Sequence, residues 1–245
     1  MNASLYLSKI ALVASLSAIL ITASAADVIF DFNTDGVLPS SQGAIYRGES
    51  PETSAFSVSN GLLHLDTFTI FSAAYQIPDI FNSDWGITLE WRARVVQTVG
   101  PDFGPGISLC SGPYSWTFAM TDTGISEYAG YHSPDGSGWG SWHTAASFSS
   151  GDFHTFRLVI PANSLDYNLF VDDVLKYSGT AATTDPGKNL SAGSFYWGEG
   201  LTDSWNQSQS EWDYVQIQNV PEPSTFALLS MVGVTLIVRR INRAH

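Results

Sequence analysis

The chain has 245 residues, and its 23 acidic against 10 basic side chains give a formal net charge of −13, with 44% hydrophobic and 13% aromatic content. That balance excludes charge-driven binding to nucleic acid or to an anionic membrane surface, because both need clustered Lys and Arg to displace counterions. One cysteine, Cys110, excludes an internal disulfide; it reads as a buried thiol, with an intermolecular bridge as the alternative.

Taken in order, the chain opens with Lys9 followed by an apolar and small-residue run, Ile10 to Thr22, and then Ala23-Ser24-Ala25. The small-x-small pattern is what signal peptidase reads, so residues 1–25 are expected to be a signal peptide cleaved after Ala25. Residues 26–219 then form one domain with room for a sizeable core. Twenty-two acidic residues there face only Arg47, Arg92, Arg94, Arg157, Lys176 and Lys188, for a net charge near −16.

Alternation and turn signals recur through this region and no stretch carries a helical period, which predicts an all-β protein. Val28 to Phe32 is a strand running into Asn33-Thr34-Asp35-Gly36. The spacing Asp31-x-Asn33-x-Asp35-Gly36 matches the first half of a calcium loop, but the twelfth position is Gln42 rather than the bidentate Glu. An Asx-type turn is the favoured reading, with calcium as the alternative. Phe56 to Asp66 reads as a hairpin on Asn60-Gly61, a dipeptide suited to two positive φ angles. A short strand is expected from Ala74 to Ile77.

Ile87 to Val96 is the cleanest strand, with Ile87, Leu89, Trp91, Ala93 and Val95 on one face and Thr88, Glu90, Arg92 and Arg94 on the other. Further strands are expected at Ile107 to Cys110, Trp116 to Met120 and Ile125 to Tyr131. Gly130 to His143 is too rich in glycine for core, yet it carries Trp139, Trp142, Tyr131, His132 and His143. Exposed aromatic rings of this kind either stack on sugar faces or fold back to cap one end of a sandwich. Trp116, Trp139, Trp142 and Trp205 are the candidate carbohydrate platforms.

Asp152 to Ile160 and Leu165 to Val171 are strands, and Asp172-Asp173 turns the chain into Val174 to Tyr177. The segments His154-Thr155-Phe156-Arg157-Leu158 and Leu169-Phe170-Val171-Asp172-Asp173-Val174-Leu175 resemble the laminin G-like, concanavalin A-like jelly roll. Asp173 stands where that family usually has glycine, which the turn tolerates because Asp enters the left-handed region. Phe195 to Gly198 and Glu211 to Ile217 resemble its closing strands. The resemblance implies an antiparallel jelly-roll β-sandwich, a fold that hosts lectins, adhesion modules and polysaccharide-cleaving enzymes.

Laminarinase-like enzymes of this fold take their carboxylates from one strand as Glu-x-Asp-x-x-Glu. Here Glu211-x-Asp213-x-x-Gln216 matches only the first two positions, Gln216 cannot exchange a proton, and the match reads as coincidence. Tyr, His and Arg, the residues of jelly-roll lyases, fall in no recognisable motif. No nucleophile elbow, phosphate-binding glycine loop or zinc spacing occurs.

The tail runs Pro221-Glu222-Pro223, then the uncharged Phe226 to Val238, then Arg239, Arg240 and Arg243. As a helix, the 13-residue run is about 20 Å long against about 30 Å of hydrocarbon, so it enters a bilayer and barely crosses it. The arginines hold its end on the cytoplasmic side. Motif, order and position resemble the PEP-CTERM sorting signal. That resemblance implies transient inner-membrane insertion, processing by exosortase, and delivery to the surface or extracellular matrix of a Gram-negative bacterium that makes exopolysaccharide. An ordinary C-terminal anchor is the alternative. Fold and tail together predict a non-catalytic polysaccharide-binding protein, with an adhesive matrix protein or a polysaccharide-cleaving hydrolase or lyase as alternatives.

Overall fold

The computed structural model describes residues 28–68, 70, 72–81, 86–99, 104–129, 141–149, 151–183, 193–199 and 207–220. The expected signal peptide, the sorting residues Pro221, Glu222, Pro223, Arg239, Arg240 and Arg243, and two candidate platforms, Trp139 and Trp205, lie outside them. Among the described residues no helix is long and apolar enough to cross a membrane.

The chain forms two antiparallel sheets. The first has the order β13 (Val174–Thr180), β12 (Asp166–Val171), β11 (His154–Ile160), β6 (Gly86–Val99), β16 (Gln207–Val220), β4 (Leu62–Asp66), β3 (Phe56–Ser59), with β1 (Val28–Asp31) also on β16. The second has the order β10 (Ser141–Ser147), β9 (Gly124–Ala129), β8 (Tyr114–Met120), β7 (Gly106–Ser111), β15 (Phe195–Glu199), β5 (Ala73–Ile77), β2 (Ile45–Gly48), with β14 (Ala182–Thr183) on β8. This is the antiparallel jelly-roll sandwich that the resemblance implies, within the all-β class that the strand pattern predicts. One short helix, α1 (Glu52–Ala55), and a 3₁₀ turn at Pro39–Gln42 connect strands at the edge.

Turn chemistry matches the expectation at two hairpins. Asn60 and Gly61 have φ of 55° and 74°, and Asp172 and Asp173 have φ of 50° and 62°, so both pairs use residues that tolerate the left-handed region. The segment Gly130 to His143, read as too rich in glycine for core, ends in a strand: β10 begins at Ser141 and carries Trp142 and His143 paired with Tyr128 and Glu127. Strands β2 and β14 carry no alternation long enough to register as sequence pattern.

The core lies between the sheets. Trp91 stacks on Phe156 with ring centroids 5.2 Å apart, and Trp197 sits among Phe30 at 5.0 Å, Tyr75 at 5.2 Å and Phe195 at 5.6 Å. Each such pair adds about 0.5–1.5 kcal/mol beyond the area it buries. Indole N–H groups are largely served: Trp212 donates to Ser210 Oγ at 2.9 Å and Trp116 to the Leu165 carbonyl at 3.1 Å.

Replacing Phe156 with Ala removes the ring under Trp91 and is expected to cost about 3–5 kcal/mol, read as a lower urea midpoint at unchanged slope. A loss below about 1 kcal/mol would contradict the described packing.

Candidate functional site

The outer face of the first sheet concentrates the chain's charged chemistry. Strict alternation on β6 sends Glu90, Arg92 and Arg94 outward while Leu89, Trp91 and Ala93 are buried. On β16 the alternation breaks once. A β-bulge between Trp212 and Tyr214 leaves Trp212 and Val215 buried and turns Glu211, Asp213, Tyr214 and Gln216 to the same outer face. The extra residue therefore aligns three positions that a regular strand would have split between its faces.

Register sets the neighbours. Glu211 lies opposite Arg94 on one side and His64 on the other, Tyr214 lies opposite Arg92, and Gln216 lies opposite Glu90. Glu211 accepts from Arg94 at 2.7 Å and stands 3.5 Å from His64 Nδ1; Asp213 pairs with Arg92. Tyr214 donates its hydroxyl to Glu90 Oε1 at 2.8 Å. Burial first, and the Glu90 acceptor second, push the Tyr214 phenol up to about 12, so it remains a donor at neutral pH. Both Arg92 and Arg94 lie 4.8 Å from the centre of the Phe153 ring, which orients the two guanidinium groups side by side.

Carboxylates on the second sheet are placed differently. The strands of that sheet contain only Glu127 and Glu199, and both are buried on its inward side. On its outer face Ser108 and Thr117 are bonded at 2.8 Å, and Gln76 donates to Ser194 at 3.0 Å and accepts from Arg47 at 2.8 Å. Cys110 belongs to this face; it is buried, as the sequence predicts, and burial pushes its thiol up to about 11.

Several sequence-derived site residues fall elsewhere. Trp116 is not an exposed platform: it is 2% exposed, packs edge-on against Phe81 and has its N–H satisfied, so it belongs to the core. Trp142 is partly exposed and lies 5.2 Å from Tyr128, a pair at the β9–β10 edge. Asp31, Asn33 and Asp35 are exposed. Gln42 turns its amide nitrogen, a donor, toward the Asp31 carbonyl at 3.3 Å, and among the described residues no cluster of three or more His, Cys, Asp or Glu could hold a metal. In this segment the Val37 N–H bonds the Thr34 carbonyl at 3.2 Å and the Gly36 N–H bonds the Val58 carbonyl at 2.9 Å.

No family model matches the sequence, and no curated protein matches it. Solved structures do match the fold. An endo-1,3-β-glucanase from Streptomyces sioyaensis superposes with TM-score 0.53 at 13% identity, covering 81% of this chain and 96% of that one. SCLam, a non-specific endo-β-1,3(4)-glucanase from family GH16, gives 0.50 at 17% identity, covering 81% and 92%. A structure from work on endo-acting O-glycanases that gut microbiota express to initiate mucin breakdown gives 0.51 at 12%, covering 79% and 98%. These neighbours correct the expectation of a non-catalytic binding or matrix protein. The frame is that of polysaccharide-cleaving enzymes over nearly their whole length, which favours the alternative reading. At such identities the shared property is the fold, and activity has to be argued from the residues.

One ion pair outside this face responds to pH. Asp172 receives His154 Nδ1 at 2.7 Å and the Thr155 N–H at 3.0 Å. Its carboxyl is partly desolvated, which acts upward, but those bonds and the nearby His154 and Lys176 charges outweigh this and hold it below the ordinary value of 3.8. A carboxyl lowered on folding stabilises the native state above its unfolded pKa, and that contribution is lost as pH falls through the folded value. Asp172→Asn, which keeps the turn conformation, is therefore expected to flatten the acid limb of urea-midpoint measurements below about pH 4. An unchanged acid limb would contradict the assignment.

Proposed function

We propose that the chain is a polysaccharide-cleaving hydrolase whose carboxylates stand on the outer face of the first sheet. The observation that carries this reading is the β16 bulge, which brings Glu211 and Asp213 onto one face with Gln216 and sets Glu90 beside the position where a third carboxylate would be needed. Residues two apart on a strand have Cα atoms about 7 Å apart. Inverting glycosidases hold their two carboxyl groups at about 6.5–9.5 Å, with room for a water, whereas retaining ones need about 5–5.5 Å. Those limits apply between carboxyl groups and not between Cα atoms, so the stereochemical course is read from the products.

In this scheme Glu211, which accepts from Arg94, and Asp213, which pairs with Arg92, are the two carboxyl groups, one taking a proton from the attacking water and the other protonating the departing glycosidic oxygen. Glu90, held by the Tyr214 hydroxyl, and Arg157 beside it extend the polar strip along which sugar hydroxyls bind. The similar folds of the two glucanases make β-linked glucans the first substrates to try.

Purified residues 26–219 should release reducing ends from at least one soluble polysaccharide, and the anomeric configuration of the products by proton NMR assigns inversion or retention. Glu211→Gln and Asp213→Asn should each lower kcat about 10²–10⁴-fold with the fold intact by circular dichroism. Aryl glycosides with good leaving groups should bypass loss of the acid but not of the base, which assigns the two roles. Cleavage unaffected by both substitutions, or absent across a panel of β-glucans and mucin-type glycans, would defeat the assignment.

The export reading belongs to the same proposal: signal peptidase removes residues 1–25, and exosortase processes the tail at Pro221-Glu222-Pro223 and releases the enzyme from the inner membrane toward the cell surface. Its support is the motif order in the sequence. Replacing all three residues with Ala in a host that has this sorting system should leave the protein in the inner-membrane fraction, and unchanged surface delivery would contradict it.

A further inference from the structure

The β3–β4 hairpin brings a hydroxyl into line with the charged face. Ser59 Oγ lies 3.0 Å from His64 Nε2, and His64 Nδ1 lies 3.5 Å from Glu211 Oε1. The other oxygen of Glu211 is held by the Arg94 guanidinium, with both contacts at 2.7 Å. Three neighbouring strands, β3, β4 and β16, thus order a hydroxyl, an imidazole and a carboxylate in series, with each imidazole nitrogen facing a different partner. This is the connectivity by which a histidine base activates a serine nucleophile.

We propose that Ser59, His64 and Glu211 form an esterase relay that removes short acyl groups, acetyl in the first instance, from sugar hydroxyls. The relay uses the tautomer with its proton on Nδ1, facing Glu211, and Nε2 as acceptor from the Ser59 hydroxyl; the Ser59 carbonyl, 3.3 Å from Nε2, is the partner of the other tautomer. The 3.5 Å carboxylate distance is long for a neutral ring and shortens when the ring becomes charged in the reaction, as catalytic hydrogen bonds commonly do.

Space and backbone suit the chemistry. Ser59 ends β3 at the mouth of the turn, where Asn60 and Gly61 take positive φ, and a Cβ added at Gly61 would meet nothing within 4 Å. A carbonyl can therefore approach Ser59 from solvent, next to the amide groups of the turn.

The steps balance with water as the only co-reactant. Ser59 Oγ bonds to the ester carbonyl carbon while its proton passes to His64 Nε2. The tetrahedral species collapses, the carbon–oxygen bond to the sugar breaks, and the sugar oxygen takes the proton from His64. Water then adds to the acyl-serine, giving its proton to His64. Collapse releases the carboxylic acid and returns the proton to Ser59 Oγ. Ester and water become acid and alcohol, with no change of oxidation state.

Only the sugar portion of the substrate rests on the hydrolase reading above; ester cleavage at Ser59 does not. The test uses the chain from residue 1 expressed with its signal peptide and purified from the periplasm, incubated with 4-methylumbelliferyl acetate and with an acetylated glucan. Acetate release is expected, together with a fluorophosphonate adduct mapped by mass spectrometry to Ser59. Ser59→Ala should lower kcat/KM for ester about 10³–10⁴-fold and leave glycosidic cleavage unchanged, and His64→Gln should abolish both the adduct and ester turnover. Because the adduct is read on the unmodified protein, an unfolded variant cannot mimic the result. No adduct at Ser59, or ester turnover unchanged in Ser59→Ala, overturns the relay whether or not glycosidic bonds are cut.

Discussion

Everything on the polar face depends on the pairing of two 14-residue strands, Gly86–Val99 with Gln207–Val220. They run antiparallel at the centre of the first sheet, and their register places Arg94 against Glu211, Arg92 against Tyr214 and Glu90 against Gln216. A slip of one residue would exchange the two faces, sending Trp91 and Trp212 to solvent and the charged set into the core. Burial of those two indoles, each 1% exposed or less, opposes that slip and so also fixes which charges meet outside.

The bulge on β16 modifies this frame at one point. Ahead of it, β16 pairs with β4; beyond it, β16 pairs with β1 instead. The same irregularity that hands the strand from one neighbour to the other turns Tyr214 and Gln216 to the face of Glu211 and Asp213. A single inserted residue thereby serves both topology and the electrostatics of the face, which is the usual structural use of a bulge near a site.

The ion pairs so formed contribute more to position than to stability. Arg92, Arg94 and their carboxylate partners are roughly a fifth to two-fifths exposed, and exposed pairs of this kind are each worth about 0.2–1 kcal/mol. Phe153 under both guanidinium groups, with Phe170 under Arg157 at 4.6 Å, gives them fixed planes and so fixed donor directions. Stability comes instead from the aromatic interior, where Trp91, Trp197 and Trp212 are buried with Phe30, Phe156 and Phe195.

By itself the sequence determined the fold class, the two hairpin turns and the face assignment of β6, because alternation and positive-φ residues are local properties that a strand expresses wherever it pairs. Trp116 was misplaced although the signal was present: Trp116, Phe118 and Met120 alternate as an inward set, and the ring was read as a platform instead. The bulge was also faintly legible, since the buried Trp212 and Val215 stand three apart rather than two. Only the tertiary structure decided which residues share the site. Ser59 and His64 come together through a hairpin, but Glu211 reaches them from 147 positions beyond His64, across a strand pairing that no local periodicity encodes. Two sheets bury one face each, so composition can say which residues point outward but not which outward residues become neighbours; that is set by long-range register and the packing that enforces it.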